Sequence, residues 1–348
     1  MHPLTSTYLL ITLGLGTTLT ISGSHWLLAW MGLEINTLAI LPIMTQKHHP
    51  RTVEATTKYF LIQATATTTM LFASLSNAWL SGEWTTSQPS HHFPVAMMIM
   101  ALALKTGLAP VHLWLPETLQ GLNLTTGLIL STWQKLAPFA LIIQTTPSTS
   151  PHLLTGLGLT SILIGGWGGL NQTQLRKVIA YSSIAHLGWT IIVVQLAPSI
   201  AMLGLLLYIL MTSTMFLSLD TYNCTNLNSL ATSWTKTPTL GATLCLTLLS
   251  LGGLPPLSGF MSKWLILAEM TKQELQLPAT AAALSALLSL YFYLRLSYTI
   301  TLTSPPNTSI KTTPWRLTPL PVLPPLATLS TLAIGILPLT PTTLAWLN

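Results

Sequence analysis

The sequence predicts an all-α fold, a polytopic membrane helix bundle of about eleven spans. Three observations lead there. Mean hydropathy is +0.60. Hydrophobic residues make up 50% of the 348 positions and charged residues only 6%, against about a quarter charged in an ordinary soluble domain. The apolar stretches run to about 20–25 residues, enough to cross a hydrocarbon core of ~30 Å as helices. They use up the whole length, so residues 1–348 are expected to form a single transmembrane domain with no water-soluble part.

The elements follow in order. The first span, 3–23, lacks a basic leader and runs almost directly into the second, 25–45, so it reads as a mature helix rather than a removable signal. Further apolar stretches lie at 57–80, 94–117, 124–146, 150–172, 177–196, 200–220, 239–270, 277–303 and 323–346. With this count Lys47, Arg51, Lys58, Arg176, Lys177, Lys236, Lys311 and Arg316 fall on the N-terminal side, and little beyond Lys272 falls opposite. The positive-inside rule then puts the N-terminus on the side of synthesis and the C-terminus across the membrane. The net charge of +6 therefore reports topology. The basic residues are dispersed and lack an aromatic platform, so they give no evidence for nucleic acid and no such partner is expected.

Two spans are broken by proline. The fourth contains Lys105, Gly107, Pro110, His112, Pro116 and Glu117; the ninth contains Gly252, Gly253, Pro255, Pro256, Gly259 and Lys263. Each proline removes a donor and frees a carbonyl that lipid cannot satisfy, so such breaks belong in a protein interior or beside water or a cation. The two are five spans apart, and that odd separation means the broken helices cross in opposite senses. This is the pattern of two inverted five-helix repeats, about 3–146 and 150–303, with an extra span at about 323–346. In that register Glu34 of the second span corresponds to His186 of the seventh.

Glu34, Lys105, Lys135 and Lys263 lie within these apolar stretches. A charge at the bilayer centre costs about 2.5–3.5 kcal/mol on the mildest scale, so such residues point to transport of protons or cations. Milder readings exist for the neighbours. Arg295 is placed to snorkel to an interface, His112 and His186 can be satisfied core histidines, and Glu117 can cap a span end. Gly165, Gly166, Gly168 and Gly169 suggest close helix packing rather than a nucleotide loop. Asn123, Asn171, Asn223 and Asn307 open weak glycosylation-like triplets. Cys224 and Cys245 offer no CxxC pair, and His48–His49 and His91–His92 lack spaced partners, so neither a metal site nor a redox centre is expected.

Five ordered strings carry a family resemblance: Glu54 to Leu61, Lys105 to Pro116, Gln134 to Pro138, Arg176 to Trp189, and Gly253 to Phe260 with Lys263. Together they resemble the antiporter-like membrane subunits of respiratory complex I in the animal mitochondrial form, over essentially the whole chain. Bacterial members carry three further spans at the start, and Ser262 stands where the family commonly has proline. The resemblance implies that Glu34 pairs with Lys105, that Lys135 follows as the central group, that Lys263 ends the path, and that His112 and His186 link them. It implies a subunit of a proton-translocating NADH:ubiquinone oxidoreductase in the mitochondrial inner membrane, with the N-terminus in the matrix and the C-terminus in the intermembrane space. NADH, FMN, iron–sulfur clusters and ubiquinone would be handled by other subunits. The implied partners are neighbouring antiporter-like and small membrane subunits, and lipids. A sodium/proton antiporter and a non-pumping scaffold of the membrane arm remain alternatives.

Overall fold

The computed structural model describes residues 2–46, 49–86, 91–232, 238–302 and 323–347. Lys47, His48, Lys236, Asn307, Lys311 and Arg316, named above, lie outside the described residues. Helices account for nearly all the rest: α1 (Pro3–Ser22), α2 (Trp26–Met44), α3 (Pro50–Ser81), α4 (His92–Thr106), α5 (Trp114–Gly121), α6 (Leu124–Ser131), α7 (Trp133–Thr145), α8 (Pro151–Gly169), α9 (Leu175–Val194), α10 (Pro198–Tyr222), α11 (Leu227–Ala231), α12 (Pro238–Gly252), α13 (Ser258–Lys272), α14 (Gln276–Thr301), α15 (Leu323–Gly335) and α16 (Thr340–Leu347). The chain divides into two compact units, Met1–Leu157 and Gly158–Asn348.

Large apolar side chains stand exposed along these helices, Trp79 at 90% and Leu277 at 84% among them. That inverts the surface of a soluble protein and suits a lipid or partner-helix solvent. Threonine and serine hydroxyls are satisfied within their own helices, as when Thr20 donates to the Thr17 carbonyl (2.7 Å) and Thr212 to that of Tyr208 (2.8 Å). Such back-bonding lets a hydroxyl-rich chain enter a medium without water. Among the described residues six helical segments are long and apolar enough to cross a membrane by themselves: Pro3–Ser22, Trp26–Met44, Leu124–Ser148, Leu175–Val194, Pro198–Tyr222 and Gln276–Thr301. A pair bent by 64°, Pro324–Gly335 with Leu337–Leu347, makes a seventh. The stretches expected at 94–117 and 239–270 are each split into two shorter helices, and α3 and α8 are diluted by threonine and glycine.

In the first unit α1 packs along α2, α2 along α3, and α3 against α4 and α5, while α7 closes against α4 and α1. The α1–α2 crossing rests on two bare backbones. A Cβ on Gly16 would lie 2.9 Å from the Gly32 carbonyl oxygen and 2.7 Å from Asn36 Oδ1. Trp26, Tyr59, Met98 and Phe139 fill the interior. In the second unit α10 is central, packed by α9, α12, α13, α15 and α16, and α12 pairs with α14. The glycine cluster of α8 packs as expected: Gly165 meets the backbone of Tyr181 and Ala185, and Gly169 the ring of Phe292. Both cysteines are buried, without a disulfide.

The Arg295 guanidinium donates to the Leu170 carbonyl just past the end of α8 (2.9 Å), a carbonyl that lies beyond the last helical turn and lacks an intrahelical donor. Two features differ from the sequence reading. Glu117 neither caps nor stands alone but meets Lys58 Nζ at 2.9 Å, which also holds Glu54 at 2.9 Å. The Lys58 ammonium, hydrogen-bonded to the Glu54 carboxyl, holds that group below the usual carboxylate range. The stretch 124–146 is distorted at Thr132 (φ −110°, ψ −67°), where α6 meets α7, although its amide still donates to the Leu128 carbonyl (3.0 Å) and Leu124–Ser148 runs as one helix.

Candidate functional site

Both proline-bearing stretches are interrupted. In the first unit α4 ends at Thr106, Gly107 takes φ +81°, and residues 108–113 are irregular before α5. A left-handed residue closes a helix cheaply only without a Cβ, so glycine rather than proline sets the stopping point. In the second unit α12 ends at Gly252, Gly253 takes φ +84°, and α13 starts at Ser258. The prolines themselves, Pro110, Pro255 and Pro256, are exposed, while Gly107, Leu108, Ala109 and Leu257 beside them are buried. Pro116 does not interrupt; it sits buried in the first turn of α5, where no intrahelical donor is needed.

Each break exposes carbonyls, and a side chain arrives to use them. Trp114 Nε1 donates to the Leu104 carbonyl (3.0 Å) at the first break. Lys263 Nζ donates to the carbonyls of Gly252 (2.8 Å) and Leu251 (3.4 Å) at the second. A Cβ on Gly253 would come within 3.0 Å of that Nζ, so the same glycine makes the turn and leaves room for the ammonium. Ser262 donates to the Gly259 carbonyl (3.1 Å) and leaves α13 continuous up to Lys263.

Lys105 and Lys135 meet across a narrow polar cavity in the first unit. Its volume is about 10 Å³, the scale of one water molecule. Asn36 and Thr37 of α2, Gln63 of α3, Lys105 and Thr106 of α4, and Gln134 and Lys135 of α7 form its polar wall. Lys105 occupies the last turn of α4, ahead of Gly107, and Lys135, only 2% exposed, the first turn of α7, just after Thr132. Lys105 and Lys263 therefore stand beside helix interruptions, and Lys135 beside the distortion at Thr132.

Glu34 is placed differently. Leu33, Asn36 and Thr37 share the stripe of α2 that lines the cavity; Glu34 borders that stripe, turned by about 60° from Thr37 and about 100° from Leu33 around the helix. Its charge acts on Lys105, but the ion pairs among the described residues are Lys58–Glu54, Lys58–Glu117 and Lys272–Glu269, so no Glu34–Lys105 pair closes within 4.0 Å. Glu34 Oε2 is buried without a protein hydrogen-bond partner. His112, buried in the first break, turns Nδ1 to the Pro110 carbonyl at 3.2 Å. His186 lies in the second unit, Nε2 3.3 Å from the Tyr293 hydroxyl and its ring 5.9 Å from that of Tyr208. Among the described residues no group of three His, Cys, Asp or Glu side chains is placed to hold a metal ion.

Residues 23–289 match the family model described as NADH:quinone oxidoreductase/Mrp antiporter, transmembrane, and residues 290–344 match that of the NADH dehydrogenase subunit 2 C-terminus. The chain belongs to the NADH:quinone oxidoreductase/Mrp antiporter family. Among its relatives in that family, NADH-ubiquinone oxidoreductase chain 2 of Salmo salar is 65% identical over 98% of both chains. The protein of the same name from Gadus morhua is 62% identical over 100% of both. A chain of respiratory complex I from Thermus thermophilus superposes with a TM-score of 0.88 at 26% identity, covering 99% of this chain and 80% of that one. The Mrp complex of Dietzia shares the fold, with a TM-score of 0.83 at 16% identity over 97% of this chain and 76% of that one.

Within this NADH:quinone oxidoreductase/Mrp antiporter chain, the sequence reading picked out the charged members of the cavity and Gln134 beside Lys135, and passed over two amides. Asn36 and Gln63 carry no charge and lie close to threonines, so nothing in composition sets them apart. The available signal was position: Asn36 follows Glu34 by two residues, and Gln63 falls about two turns into an otherwise Ala- and Thr-rich span.

Proposed function

We infer that this chain is a membrane-arm subunit of proton-pumping NADH:ubiquinone oxidoreductase, assembled with other complex I subunits in the mitochondrial inner membrane. Full-length identity of 65% and 62% to proteins named as chain 2 of that enzyme supports this reading. Redox energy enters through neighbouring subunits, which carry NADH, FMN, iron–sulfur clusters and ubiquinone; this chain supplies proton-handling groups. The observation that carries the assignment of those groups is the pairing of Lys105 and Lys135 across one buried polar cavity.

Lysine fits the task because its ammonium can release a proton, whereas a guanidinium cannot. Glu34 modulates Lys105 by charge from outside the cavity, Lys135 is the central station, His112 and His186 are linking groups, and Lys263 terminates the path at the carbonyls of the second break. Driving one proton against 100 mV takes about 2.3 kcal/mol, so the energy has to arrive as a rearrangement of charges, such as movement of Glu34 relative to Lys105. The inverted-repeat reading gains support from register. Aligning Gly107 with Gly253 sets Lys105 opposite Leu251, whose carbonyl accepts a hydrogen bond from Lys263.

The test is reconstitution of the assembled complex in vesicles with Lys105→Met or Lys263→Met. Electron transfer to quinone should yield markedly fewer protons per electron pair in each; a yield equal to the parent in both would favour the scaffold reading. Orientation is tested separately. An impermeant amine reagent should reach Lys47 from the matrix and Lys272 only from the intermembrane space, and labelling of both from one side would refute the proposed topology.

A further inference from the structure

We propose that His25 is a pH-sensitive latch. Neutral, it holds the start of α2 against the loop that follows α3; protonated, it lets go, and proton movement slows when the compartment on that side turns acid. The effect on proton movement rests on the proton-path reading, and the proposed orientation puts His25 on the intermembrane-space side.

Two antiparallel backbone bonds join the α1–α2 turn to the segment after α3. The Trp26 N–H donates to the Trp84 carbonyl and the Thr86 N–H to the Ser24 carbonyl, both at 3.0 Å. His25 sits inside this clamp, paired with Thr85. Its half-buried ring lies flat on that of Trp84, with centroids 5.5 Å apart and planes inclined by 6°. Its Nδ1 accepts a hydrogen bond from the Leu27 N–H (3.2 Å) and so caps α2. One side chain thus ties the helix that carries Glu34 to the loop beyond α3.

The second unit has a clamp of the same kind. There the Leu175 N–H donates to the Thr225 carbonyl (3.0 Å) and the Leu227 N–H to the Thr173 carbonyl (3.2 Å), and the residue in the place of His25 is Gln174, paired with Asn226. A backbone clamp therefore needs no imidazole. Serine, threonine, aspartate and asparagine are the usual helix caps, and what histidine adds to them is loss of the acceptor near neutral pH.

An imidazolium carries a proton on both nitrogens. Its Nδ1–H would face the Leu27 N–H, the cap would be gone, and a positive charge would stand at the positive end of α2. Only the neutral form fits this geometry, so the latch holds above the ordinary imidazole range and is lost as pH falls through it. Freed at its start, α2 no longer fixes Glu34, whose charge acts on Lys105. The other titratable groups at this end of the first unit are Glu83, whose Oε2 accepts from the Thr85 hydroxyl (3.5 Å), His91 and His92 at the start of α4, and His152 at the start of α8. The last turn of α1, the first of α2 and the last of α3 carry none.

The experiment uses the assembled complex in sealed vesicles and lowers the pH of the intermembrane-space side from about 7.5 to about 5.5. Hydrogen exchange of the amides in 24–30 and 83–86 is read by mass spectrometry and corrected for its intrinsic pH dependence. In the parent, protection of both segments should fall about fivefold, and protons moved per electron pair should fall with it. His25→Asn keeps a capping acceptor and does not titrate, so its protection should hold and its proton yield should fall less steeply. Trp84→Leu removes the stacked ring alone and should show the parent's pH response from a lower starting protection. A parent whose protection does not change, or an equal change in His25→Asn, overturns the latch. Equal proton yields in the two, with protection differing as expected, overturn its regulatory role. Should His25→Asn not assemble, His25→Ser, a second cap that does not titrate, decides by the same criteria. Lys135→Met runs alongside and should keep the exchange response while losing proton movement. If it pumps normally the path reading fails, and exchange alone then decides the latch.

Discussion

Replacing Lys135 by methionine should leave the complex assembled and remove most of its coupled proton translocation. Lys135 is 2% exposed in the first turn of α7, directly after the irregular residue Thr132 and beside the cavity it shares with Lys105. Methionine keeps an unbranched side chain of similar reach and fills irregular space well, so packing against α4 and α2 is largely preserved. What disappears is the group that takes and gives the proton. Positioned proton-transfer groups contribute about 10²–10⁴ in rate, so proton movement should fall on the order of a hundredfold while the complex runs at its usual size on a native gel. Arginine at this position should fail as well, since it holds its proton at any relevant pH. The two variants together separate loss of charge from loss of exchange. Normal pumping in an assembled Lys135→Met complex would make the residue structural.

A single methyl group at Gly259 should do the opposite, sparing every titrating group and preventing assembly. An added Cβ there lands on the Ser250 carbonyl oxygen, inside any permitted separation, with Met211 Sδ at 3.4 Å behind it. Neither backbone can yield without pulling α13 away from the end of α12, and that end supplies the carbonyls held by Lys263. Forced overpacking of this kind costs about 3 kcal/mol, enough to deplete a marginally stable fold. Gly259→Ala should therefore lower the amount of assembled complex several-fold in a native gel. Gly14→Ala and Gly156→Ala, where a Cβ meets nothing within 4 Å, serve as matched controls and should assemble normally. Equal assembly of all three would show that the α12–α13 arms relax more freely than their packing implies.

The fold was largely legible because the solvent dictates it. Apolar stretches in lipid have to become helices, and Gly107 and Gly253 beside prolines mark where two of them stop. Thr132 has no such mark. With neither glycine nor proline there, the distortion between α6 and α7 has no local marker in the sequence. The charged members of the site announced themselves by cost, since a lysine in an apolar run demands an explanation. Asn36 and Gln63 did not, because one amide per helix is an ordinary content for a membrane span. The expected Glu34–Lys105 pair is a related lesson. Residue types fixed who the members were, but the rotation of α2, held by its crossing with α1 and its packing on α3, decided which of them line the cavity.

That crossing bears on how inherited variation in this chain should be judged. Gly16 carries no charge, lies on a helix with many exposed apolar side chains, and would be scored as harmless if exchanged for alanine by any scale built on hydropathy or charge. Yet its missing methyl is what lets Asn36 Oδ1 approach within 2.7 Å of the position a Cβ would take. A substitution there reaches the lysine cavity through one amide, without touching a titrating residue. Distance from that amide, more than change in polarity, is the measure by which variants of the first two helices should be ranked.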